Sequence, residues 1–140
     1  MTDELHPIAR WPAIVAAARS CVGTRFRPQG RVPQLGLDCV GVLLVAAAAA
    51  GLPSADVPAY RLGGALPDVE AILRLHGCAP IDEALAGDIL VNALAPRQRH
   101  FGIVTPNGVV HAHAGLERVV EGPIDSGWLV IGTWRLPGAR

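Results

Sequence analysis

The chain has 140 residues, 51% of them hydrophobic but only 4% aromatic. That is enough for one domain burying about two-thirds of its unfolded surface, with a core of Val, Leu, Ile and Ala and three Trp as larger fillers. Twelve basic residues cancel twelve acidic ones, which removes the positive footprint of a nucleic-acid binder. The longest apolar run, Val42 to Ala50, falls far short of the roughly 20 residues that cross a bilayer, so no membrane span is expected.

The start, Met1-Thr2-Asp3-Glu4-Leu5, has no basic segment leading into an apolar stretch, so no secretory signal is expected and synthesis in the cytoplasm is. Ile14, Val15, Ala18 and Val22 recur at helical spacing and predict a first helix over about Trp11 to Val22, with Pro12 near its start and Gly23 as its stop. Residues 23 to 37 hold Gly23, Pro28, Gly30, Pro33 and Gly36 with little periodicity. They predict a long ordered loop, a common place for function in a compact domain. Asp38 is a capping residue for a second helix from Cys39 to about Ala50, stopped by Gly51 and Pro53. Pro67 opens a third, with Val69, Ile72, Leu73 and Leu75 as its apolar residues and Gly77 as its stop.

After Pro80 the pattern changes to short β-prone runs: Asp88 to Val91, Phe101 to Thr105, Val109 to His113, Val119-Val120 and Leu129 to Leu136. Helices followed by an antiparallel sheet of about five to six strands predict a single α+β domain over residues 1 to 140. Thr105-Pro106-Asn107-Gly108 is the turn of a hairpin whose strands carry histidines. A turn centred on Pro106-Asn107 sets His100 opposite His113 and Gly102 opposite His111, and strand alternation puts all three imidazoles on one face.

The chemistry starts at Asp38-Cys39-Val40-Gly41. A cysteine on the first turn of a helix faces unpaired backbone N–H groups and the positive end of the helix dipole, which predicts a lowered thiol pKa and a nucleophile. A nucleophilic thiol needs a base, and the base needs a group that fixes its tautomer. Cys39, His100 and either His111 or His113 fill these roles on geometry alone. Three cysteines, at positions 21, 39 and 78, have neither CxxC spacing nor an even count, which argues against a disulfide framework or a zinc knuckle. Cys21 and Cys78 are expected as buried packing. A competing reading takes His100, His111 and His113 as a three-imidazole metal set, though no acidic water-activator lies near them in sequence. Arg25, Arg27 and Arg31 are expected on a solvated loop, with steering of an anionic ligand as the alternative. Trp128 and Trp134 are expected as core or rim fillers.

These motifs resemble the NlpC-type family of cell-wall cysteine peptidases, which have a papain-like fold. The family's Asp-Cys-Ser-Gly helix start is matched by Asp38-Cys39-Val40-Gly41, its His-x-Gly-Ile strand by His100-Phe101-Gly102-Ile103, and its strand ending in His-Ala by Val110-His111-Ala112. Val22 to Arg27 is similar to its Gly-Thr-Pro-Tyr-Arg segment, and Ala86 to Leu90 to its Gly-Asp-Leu-Val strand. The likeness covers about residues 8 to 137. It is nearer to a short, signal-less branch found among tail genes of phages and gene transfer agents, which share the closing pattern Trp134-Arg135-Leu136-Pro137-Gly138.

The resemblance implies hydrolysis of a peptidoglycan stem peptide, typically between D-glutamate and diaminopimelate, without metal or organic cofactor. Cys39 is then the nucleophile, His100 the base and acid, and His111 the orienting group, chosen over His113 by the family match. Asp38, Phe26, Arg27 and Val40 fall at substrate-binding positions. Phe26 stands where the family has a Tyr hydroxyl, and Val40 where it has a Ser. Partners are expected to be the stem peptide and phage-like tail-tip or hub proteins, with no nucleic acid and no membrane. The particle-borne protein would act on the periplasmic cell wall. Acyl transfer on the same fold, or a tail-tip module whose site has decayed, are the alternatives.

Overall fold

The structure, a computed structural model, describes residues 8–52, 69–95, 98–125 and 127–140. The expected helix signals at Pro53 and Pro67 lie outside these residues.

Helix α1 spans Trp11–Ser20, with Pro12 in its first turn and Ile14, Val15 and Ala18 buried along one stripe. It ends two residues earlier than expected. Val22 therefore lies in the turn beyond the helix and is exposed, and Gly23 turns the chain away at a φ of +90°. Helix α2 spans Cys39–Ala49 and is apolar on every face, which requires burial all round. It packs against both α1 and the sheet, burying Val40, Gly41, Val42, Ala46 and Ala47. The Arg10 guanidinium donates to the Ala50 carbonyl at 2.7 Å, tying the start of α1 to the end of α2. Helix α3, Val69–Leu75, buries Leu73. Leu75, expected on the same apolar face, is 81% exposed, because a two-residue step turns it to the far side of the helix.

The loop between α1 and α2 is more structured than its composition suggests. It contains a two-residue ladder between β1, Arg31–Val32, and β2, Gly36–Leu37. It is also stitched to the rest of the chain: Leu37 donates to Arg25 O at 2.9 Å, Arg27 to Leu37 O at 3.1 Å, and Phe26 to Glu117 O at 2.9 Å.

The remaining strands are β3 (Ala79–Pro80), β4 (Ile89–Ala95), β5 (Gln98–Thr105), β6 (Gly108–His113), β7 (Arg118–Gly122) and β8 (Leu129–Arg135). They form one antiparallel sheet in the order β3-β8-β4-β5-β6-β7, so the fold is α+β with a six-stranded antiparallel sheet. Ile89, Val91, Phe101, Ile103, Val110 and Ala112 belong to the same core as Ile14, Ala18, Leu37, Val40 and Val42. Residues that alternate with them along the strands, Asn92, His100, Gly102, His111 and His113, turn to the other face. Asp88, entering β4 with no solvent exposure, is gripped by the Arg135 guanidinium through two bonds of 2.9 and 2.8 Å and accepts a third from the Leu85 amide at 2.7 Å.

Candidate active site

Cys39 is the first residue of α2, and its surroundings are built by the loop before it. The Asp38 carboxylate accepts from the Gly41 amide at 2.9 Å, the Gln29 amide at 2.8 Å and the Arg31 guanidinium at 2.9 Å. One side chain thus caps the helix and fastens the loop to it. Backbone packs directly on backbone here: a Cβ on Gly41 would run into the Gly30 carbonyl, and one on Gly30 into the Gly36 carbonyl. Any larger residue at position 41 would push the loop off the helix start.

The thiol is half-buried and receives the backbone amides of Phe101, Val40 and Cys39 itself, all of which favour the thiolate. Burial outweighs them. Together with the negative charge of Asp38 it pushes the Cys39 thiol up to about 12, the reverse of the lowered value that helix position alone predicts. In the free protein the thiol is therefore neutral at pH 7. Its alkylation by iodoacetamide is expected to be at least about tenfold slower than that of a free cysteine at pH 7.5 and to keep rising beyond pH 10. A plateau of rapid alkylation near neutrality would instead reveal a preformed thiolate.

The two histidines are brought together by the hairpin. Pairing runs from Thr105 with Gly108 to Ile103 with Val110, the register set by the Pro106-Asn107 turn. From there, Nε2 of His100 meets Nδ1 of His111 at 2.9 Å, with the rings edge-on at 86° and centroids 5.0 Å apart. His100 and its diagonal neighbour are thus the pair in contact. His113 turns its Nδ1 to accept the Leu116 amide at 3.1 Å instead. Gly102 leaves room for the Val109 side chain, which a Cβ there would overlap. Among the described residues, no three His, Cys, Asp or Glu side chains converge as a metal-binding group.

Burial, then the like charges of His111 and His113, pull the His100 pKa down to about 3. Burial and His113 pull His111 down to about 4, with Asp125 partly opposing them. Both imidazoles are therefore neutral at pH 7, and the bond between them fixes their tautomers. If His100 donates from Nε2 to His111, its Nδ1 carries a lone pair and can accept a proton. The Phe101 amide that meets the thiol belongs to the residue after His100, so the start of α2 abuts β5 one residue along from that histidine.

Trp128 completes the site, although no sequence motif marks it. Its ring stands edge-on to both histidines, with centroids 4.7 Å from His111 and 5.5 Å from His100. The turn that delivers it is shaped by Asp125, which accepts from the Gly127 and Trp128 amides at 2.8 and 3.0 Å. The only available signal was a large aromatic next to a Gly and Asp turn just before a strand. Trp134 lies in the core, as a filler should.

The remaining expected positions separate clearly. Val40, expected at a substrate-binding position, is 4% exposed and packs in the core, because its place on α2 faces inward. Phe26 is half-buried against the same core and Arg27 is exposed. Arg31, expected on a solvated loop, is instead ion-paired to Asp38. Arg25 lies across an isolated β-bridge from Arg118, itself the cross-strand partner of His113. Cys21 and Cys78 are buried thiols with raised pKa values, burial being the main cause. Comparison of the chain with protein-family models and with curated proteins finds no match.

Proposed function

We propose that the protein is a cysteine peptidase acting on the stem peptide of peptidoglycan, carried on a phage-like tail particle. The observation that carries the reading is the 2.9 Å bond between His100 and His111 beside a helix-start thiol that touches the Phe101 amide. The choice of peptidoglycan rests on the NlpC-type resemblance of the three motifs, and the papain-like fold assignment rests there too.

Because thiol and imidazole are both neutral at rest, the proton moves during attack. Cys39 Sγ bonds to the scissile carbonyl carbon while its proton passes to Nδ1 of His100. The amides around Cys39 are donors for the negative oxygen that develops. His100 then protonates the leaving amine as the peptide C–N bond breaks, leaving a thioester. Water, losing its proton to His100, attacks that thioester and frees the thiol. His111 holds His100 in the tautomer with Nδ1 open throughout.

The test is digestion of defined muropeptides. Wild type is expected to release stem-peptide fragments, whereas Cys39→Ser and Cys39→Ala should lose at least about three orders of magnitude in rate. Fragment release by Cys39→Ala would sink the mechanism. A second reading, a tail-tip module that binds cell wall without cutting it, is favoured by Phe26 and Val40, which stand where the resembled family carries hydroxyl groups. It expects retention on murein with no fragments at any pH.

A further inference from the structure

Asn92 is out of keeping with its surroundings. It lies in the middle of β4, a central strand, with no solvent exposure, yet among the described residues neither its amide oxygen nor its amide nitrogen has a hydrogen-bond partner. Leaving such a group unsatisfied is destabilising, and an apolar side chain of similar shape would avoid that cost. Its place in the sheet is specific. Asn92 is the direct cross-strand partner of His100 on β5 and, beyond an irregularity after Val91, of Val130 on β8. Directly opposed residues point to the same face with Cβ atoms about 4.5–5.5 Å apart. A buried amide with spare hydrogen-bonding capacity therefore stands beside the ring that the proposed reaction makes positive.

The charged and titratable neighbours of that ring do not supply compensation. His111 is bonded to Nε2 of His100, and His113 adds a further like charge once protonated. Asp125 acts on His111 rather than on His100 directly. Trp128 screens the pair from water on its side.

We propose that Asn92 is a positioning residue for His100, whose amide oxygen, unbonded at rest, turns to the imidazolium formed when Cys39 gives up its proton. This inference rests on the peptidase reading given above and deepens it. Both N–H groups of the imidazolium are engaged, Nε2 with His111 and Nδ1 with the reacting groups, so the amide acts on the ring's positive charge as a nearby dipole and not as a third hydrogen-bond partner. In a water-poor site a dipole fixed in advance stabilises developing charge with little reorganisation.

Asn92→Leu removes the amide at similar volume and Asn92→Asp strengthens the acceptor. Asn92→Leu is expected to lower kcat on muropeptides at least about tenfold with KM within about twofold, while its melting temperature stays level or rises. Loss of stability together with unchanged kcat would mean a structural role and would overturn the proposal. A second measurement needs no turnover and uses the full chain with Cys39 capped as its methyl disulfide. The His100 ring titration, followed by NMR, is expected to move to higher pH in Asn92→Asp and to lower pH in Asn92→Leu. If either variant fails to fold, the other decides, since an unmoved titration in the folded one overturns the proposal. Inactive wild type with shifted titrations would remove the peptidase reading and leave the Asn92–His100 coupling standing.

Discussion

Replacing His111 with alanine is expected to lower kcat by about 10²- to 10⁴-fold while leaving the fold intact, the range over which a correctly positioned proton-transfer group contributes. The loss comes from the freed ring. Without the 2.9 Å bond at Nε2, His100 rotates and samples the tautomer whose Nδ1 carries a proton and cannot accept one. The same change removes a like charge that holds the His100 pKa down. The His100 titration should therefore move to higher pH, a shift that general destabilisation would not produce. His111→Gln, which restores an acceptor oxygen at the end of a flexible side chain, should recover part of the rate. Full activity in His111→Ala, measured beside an unchanged circular dichroism spectrum, would exclude His111 as the orienting group.

The largest effect on stability is expected at Arg135. Truncation to alanine strands the Asp88 carboxylate, which has no solvent exposure, with the Leu85 amide as its one remaining partner among the described residues. Removing one member of such a buried pair costs about 3–5 kcal/mol. Urea unfolding of Arg135→Ala is the measurement. Asp88→Asn added to that variant should restore part of the loss, because an amide leaves no stranded charge. A loss below about 1 kcal/mol would mean that the pair is far more hydrated than its geometry implies.

Much of the fold was legible because local signals agree with their burial. Asp38 caps, Gly51 and Gly77 close helices at positive φ, and the Pro106-Asn107 turn sets the β5–β6 register, although that register by itself left both His111 and His113 open as the partner of His100. Features that depend on distant contacts were not legible. The pairing of Ala79–Pro80 with the end of β8 has no local signature, and neither does the short β1–β2 ladder. Leu75 and Val22 belong to apolar patterns but are exposed, Leu75 because a two-residue step turns it away from Leu73 and Val22 because α1 ends before it. At the site, motif spacing singled out Cys39, His100 and His111 as candidates, whereas their electrostatics could not be read from it. The direction of the Cys39 shift depends on how much water the β5 strand and the loop exclude, and that outweighs the helix-start amides visible in the sequence. Trp128 and Asn92 reach His100 only through sheet pairing and a turn, so no pattern of neighbours in the chain announces them.

The contact of Gly41 with the Gly30 carbonyl, clamped by the three bonds to Asp38, has a consequence for how firmly the Cys39 thiol is placed. Loop and helix start form one rigid wall, so moving either would drag the nucleophile out of register. The Trp128 ring stands on a separate piece of backbone, where the Gly127 and Trp128 amides donate to Asp125. The placement of the thiol and the aromatic cover over the two imidazoles are therefore set by two independent segments of the chain.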